Sequence, residues 1–170
     1  VAAPFLAGFV ALLAELLRTV DLDAALSQVP GLVQEAATRL RPDDPHLLRL
    51  RFEQAAVLGL AGRHEEALVV SRDVLARQQA ALGPNHPDTL RTASCVAIDV
   101  GCTEGAAAAL PLYERAAHDR ASTLGETDPG ALVSLRNLAL TLSEQERSDD
   151  AVATARRALD LARSAHPPLS

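Results

Sequence analysis

Two cysteines, five histidines and three sets of close acids are the residues of this 170-residue chain that invite a chemical role. Cys95 would serve as a nucleophile only as thiolate, and no partner able to lower its pKa can be named from its sequence context. A free cysteine otherwise behaves as a small apolar residue. Cys95 and Cys102 lie seven apart on one predicted helix, about 10 Å by helical rise, which is too far for a disulfide. His46, His64, His86, His118 and His166 include no i, i+4 pair on one helix, so no metal site is expected. Glu65-Glu66, Asp149-Asp150 and Asp21 with Asp23 would suit acid/base work or calcium. They all fall at predicted helix starts, where complementing the helix dipole accounts for them, and no ion-binding loop surrounds them. No glycine-rich phosphate loop is present. Neither a catalytic residue nor a cofactor is therefore expected.

The elements that carry these residues are set by a recurring punctuation. Leu82-Gly83-Pro84-Asn85-His86-Pro87-Asp88-Thr89-Leu90 holds a helix stop and a helix start. Gly83 can close a helix in the left-handed region, Pro84 cannot continue one, and Pro87 suits a first turn. Leu40 to Leu48 and Leu124 to Leu132 repeat the pattern, so Pro45, Pro87 and Pro129 stand 42 residues apart. A fixed period of this size predicts stacked helix hairpins. The expected units are 45–82, 87–124 and 129–165, preceded by a degenerate copy over 5–40, all within one domain spanning 1–170. In that first copy, Phe9, Leu12, Leu13 and Leu16 read as a buried helix, and Pro30-Gly31 is expected to interrupt the second helix before Leu32. Pro111 is expected to kink or delay the second helix of the third unit.

Composition narrows the class further. Hydrophobic residues make up 48% but aromatics only 2%, so Leu, Val and Ala must build the core and almost no sheet is expected. A net charge of −6 argues against nucleic acid, which is held by cations on phosphate. Glu15 and Arg18 interrupt the apolar start, and no basic region precedes it, so neither a membrane span nor a signal peptide is favoured. Reduced thiols fit a cytoplasmic location. The Val1 start and the absence of any Met suggest a piece of a longer protein, or a processed one.

Small residues recur in register: Ala55, Ala97 and Ala139 in first helices, and Ala25, Ala67, Ala109 and Ala151 in second helices. Together with Leu135-Arg136-Asn137-Leu138-Ala139-Leu140, the later Ala155 and Ala158, and Tyr113, this pattern resembles the tetratricopeptide repeat. The 42-residue period and the linker resemble its kinesin-light-chain-like subclass. Arg51 and Gln54 depart from the family by standing where large apolar residues are usual, and Ser71 replaces the aromatic, so the second unit is expected to pack less tightly. The resemblance implies an all-α solenoid of about four antiparallel hairpins, wound as a right-handed superhelix with first helices lining a concave groove.

The family's inner-face pattern falls on Arg49, Phe52, Glu53 and Ala56, on Arg91, Ser94, Cys95 and Ile98, and on Val133, Arg136, Asn137 and Leu140. Asn137 matches the family's peptide-holding asparagine, which can bond both groups of a peptide unit. Two readings stand for the arginines. They hold carboxylates of a partner, or they are solvated and pair with neighbours such as Glu53. The expected function is non-catalytic binding of a peptide or helix of another protein. The alternative is a regulatory region of a larger bacterial signalling ATPase or transcription regulator, and an enzyme with an unrecognised site comes third. An apolar outer face at Phe5, Phe9 and Leu13 leaves room for a homodimer through the N-terminal helix.

Overall fold

The computed structural model describes residues 22–165, and among them every regular element is a helix. The expected N-terminal helix, its proposed homodimer face and the His166 tail lie outside the described residues. The chain divides into two compact units, Val1–Ala81 and Leu82–Ser170.

The first unit contains α1 (Leu22–Ala37), α2 (Pro45–Leu60) and α3 (His64–Ala81). Helix α1 runs unbroken through Pro30, contrary to the expected interruption. The reason is placement: Ala25, Val29, Val33 and Ala36 form one buried stripe at helical spacing, while Pro30 and Gly31 face solvent. Burial of that stripe offsets the lost hydrogen bond. Its residues join Leu47, Leu50 and Val57 of α2 in the unit's core. Asp44 caps α2 by accepting from the His46 backbone N–H at 2.9 Å, with Pro45 beginning the helix. Gly62 then turns the chain at φ 74°, where a side chain would be strained.

In the same unit, the departures at Arg51 and Gln54 have a visible outcome. The Arg51 Nη1 lies 2.5 Å from the Asp73 carboxylate, which Arg77 also contacts at 3.0 Å. The Arg77 hydrogen bond leads in holding the Asp73 carboxyl below its ordinary range, against burial and with help from Arg51. A cavity of about 350 Å³ opens beside Gln54, Val57 and Leu58, between α1 and α3. Ser71 is fully buried, and its hydroxyl donates to the Leu68 carbonyl.

The second unit contains α4 (Pro87–Thr103), α5 (Ala106–Leu124), α6 (Pro129–Glu144) and α7 (Ser148–Ala165). Each helix packs on the next, and α4 also touches α6. Pro87 and Pro129 begin α4 and α6 as Pro45 begins α2, so the three linkers are equivalent. His86 caps α4 through Nδ1, which accepts from the Asp88 N–H at 3.2 Å, and Asp128 caps α6. Pro111 does not delay α5, which starts at Ala106, because the proline lies on the exposed face. Ala97, Ala109 and Ala131 are fully buried, the small contacts that let the helices approach.

One junction of this unit is locked by charge. Arg120 of α5 lies 2.8 Å from the capping Asp128, with both side chains almost enclosed at 12% and 13% exposure. A Cβ added at Gly130 would run into the Arg120 guanidinium. That glycine is what lets the arginine lie flat over the start of α6.

Candidate binding face

The face is built by first helices, whose buried stripes fix which side chains point outward. On α6, Ala131, Ser134, Leu135, Leu138 and Leu142 are buried. That leaves Val133, Arg136, Asn137 and Leu140 as a stripe at spacings of three and four, with Val133 44% and Leu140 57% exposed. Arg136 is exposed, and its Nη2 donates to the Asn137 Oδ1 at 3.2 Å. All four expected residues of α6 therefore share one outward face.

Helix α4 presents Arg91, Ser94, Cys95 and Ile98, all half-buried. Arg91 lies 3.3 Å from Asp88, and the Ser94 hydroxyl donates to the Leu90 carbonyl at 3.1 Å, so that hydroxyl is committed to its own helix. Helix α4 also touches α6 within the second unit. On α2 of the first unit, Arg49 is exposed and Glu53 and Ala56 are half-buried. Phe52 is 5% exposed and sits in the core, so it is not the outward apolar contact anticipated for it.

The arginines differ in their pairing. Arg41, Arg63, Arg77, Arg115, Arg120, Arg147, Arg157 and Arg163 each meet a carboxylate. Among the described residues, Arg49, Arg136 and Arg156 have no such partner.

Sequence reading missed the lower end of this face. Tyr113 reaches from α5 toward Gly101 of α4, where a Cβ would lie 3.4 Å from its hydroxyl. Burial, and then the charges of Cys102, Asp99 and Glu144, push its phenol up to about 12. Burial and Asp99 likewise raise the Cys102 thiol, which suppresses thiolate. Cys102 and Glu144 are each four residues past Ile98 and Leu140. Extending the outward stripe by one turn would have found them. No group of three or more metal-ligating side chains occurs among the described residues, and no described helix is long and apolar enough to cross a membrane.

This register of capped, proline-started hairpins matches a family model described as tetratricopeptide repeat, over residues 46–117 and 102–164. The chain belongs to the tetratricopeptide repeat family. Such repeats are scaffolds for protein–protein interaction, a role that is typically non-catalytic. No curated protein matches the chain. Among solved structures, it is similar in fold to a Podosopora anserina putative kinesin light chain with nearly identical TPR-like repeats. The two share 22% identity at a TM-score of 0.73, over 95% of this chain and 77% of that one. It is also similar to BtubC (BKLC) from P. vanneervenii, with 18% identity and a TM-score of 0.75, over 94% of this chain and 63% of that one. Fold is what these likenesses share: α-solenoids of helix hairpins.

A second pocket, of about 330 Å³, lies on the other side of α6, floored by Leu135, Leu138 and Leu161 and crossed by Arg157 and Glu126 at 3.1 Å. Its rim carries His118 and Glu114. Ser122 also lines it, with its hydroxyl donating to the Asp119 carbonyl at 3.2 Å.

Proposed function

We propose that this tetratricopeptide repeat chain binds a polypeptide segment of another protein along the α4 and α6 face of its second unit. Asn137 bonds the segment's backbone, Arg136 holds a carboxylate, and Ile98, Val133 and Leu140 supply apolar contact. The observation that carries this reading is Arg136, hydrogen-bonded to Asn137 and without a carboxylate partner among the described residues, on an exposed stripe in a molecule whose arginines mostly meet carboxylates. An exposed arginine held by a neutral amide, with no carboxylate on its fork, can still take a partner's carboxylate. Arg49 offers a similar cation on α2 of the first unit.

The test is affinity capture with the intact chain and with the Arg136→Ala/Asn137→Ala double variant. Both substitutions are at the surface, so unfolding stability should change by less than about 0.5 kcal/mol. Partners retained by the intact chain should be lost from the variant. An unchanged set of partners would remove the assignment.

A further inference from the structure

The α4 and α6 face is not uniform in charge. Repeat register makes Arg91 equivalent to Val133, Ser94 and Cys95 to Arg136 and Asn137, Ile98 to Leu140, and Cys102 to Glu144, on two helices that touch. Read down the helices, the face passes from arginine through an amide and two aliphatic side chains to acid. Glu144, one turn past Leu140 on α6, is exposed, and its charge reaches the Tyr113 hydroxyl.

We infer that the face selects a segment whose charges run in the opposite sense: an acidic residue against Arg136, an apolar one against Leu140, and a lysine or arginine against Glu144. This rests on the proposed binding face and names the chemistry of its partner. Spacing supports an extended segment. Arg136, Leu140 and Glu144 are successive i, i+4 neighbours, each about 6 Å further along the helix. Alternate residues of an extended chain are about 6.6 Å apart and point the same way. The matching core is therefore acid–x–apolar–x–base, lying along α6. Among the described residues Arg136 has no carboxylate to give up. Same-sign segments gain at one end and are repelled at the other.

The experiment uses three synthetic peptides flanked by Gly-Ser, with cores Glu-Ala-Leu-Ala-Arg, Glu-Ala-Leu-Ala-Glu and Arg-Ala-Leu-Ala-Arg, titrated calorimetrically into the full chain at low salt. The mixed-charge peptide should bind roughly tenfold or more tighter than either same-sign peptide, with the gap closing as salt screens it. Glu144→Gln should erase the preference over the double-Glu peptide, and Arg136→Ala the preference over the double-Arg peptide. Tyr113 is the chain's single tyrosine, so its ultraviolet titration reports the acid end alone. Its midpoint, about 12 in the free protein, should fall when either Arg-bearing peptide binds and stay put with the double-Glu peptide. Equal binding of all three peptides, still sensitive to Arg136→Ala/Asn137→Ala, would overturn the charge order and leave the face standing. Binding of none would overturn the charge order and count against the face as well.

Discussion

The second repeat, in the first unit, and the fourth, in the second unit, solve one packing position in opposite ways. Arg51, Gln54, Asp73 and Arg77 of the second stand 84 residues before Leu135, Leu138, Arg157 and Leu161 of the fourth. In the second repeat, Asp73 gathers two arginines into a half-exposed ionic cluster, and Gln54 borders a cavity. In the fourth, three leucines floor a pocket and the only charges are its rim. The helix hairpin is thus set by what the repeats share, namely the capped proline start and the buried small residues. Side chains at this position are free to vary as long as each charge finds a partner.

The sharpest break in the contrast is between exposed and enclosed ion pairs. Arg120→Ala would leave Asp128 buried without its cation, costing about 3–4 kcal/mol. Arg77→Ala, in the half-exposed cluster, should cost less than about 1 kcal/mol because solvent screens it and Arg51 remains. Urea denaturation of the two variants measures the difference, and equal losses would void it.

A smaller effect follows from exchanging the paired positions. Leu138→Gln puts an amide into an apolar floor and should destabilise by about 2 kcal/mol. Gln54→Leu, beside an existing cavity, should stabilise by about 1 kcal/mol. Thermal unfolding of both variants tests the opposite signs.

Smaller still is the cap. Asp44 and Asp128 hold the position that His86 fills before α4. His86→Asp should add about 0.5 kcal/mol by supplying a charged acceptor near the helix start, read as a raised midpoint at pH 7.

The smallest expected effect is acid sensitivity in the first unit. Asp73 titrates below its ordinary value near 3.8 when folded, so the unfolded chain takes up protons first. Its stabilisation is complete above that value and fades as pH falls through the lower folded one. Stability curves at successive pH values below 4 should show this extra loss, and Asp73→Asn should lack it. Tyr113 has the opposite sign: its stabilisation is complete below the unfolded value near 10 and is lost as pH rises toward about 12.

Much of the fold was legible because its signals are local. Pro45, Pro87 and Pro129 each begin a helix, as the linker chemistry requires, and the recurring alanines are buried. Pro30 misled because a local rule weighs a proline without knowing which face it occupies; the stripe from Ala25 to Ala36 had more to say. Phe52 was misplaced for a related reason. Its register matches the outward face, but a large apolar side chain on a small helical unit is drawn into the core. The outward stripe of α6 could be read from spacing. Glu144 at its acid end needed only one more turn of the same spacing, but its effect on Tyr113 could not be read, since the two lie on different helices.

The face itself is tested most directly by residue-resolved amide NMR during titration of the Glu-Ala-Leu-Ala-Arg peptide. Shifts concentrated on 91–102 and 133–144 are the expected result. Shifts confined to the opposite side, around Ala117 and Leu161, would contradict the account, as would none at concentrations where calorimetry detects binding.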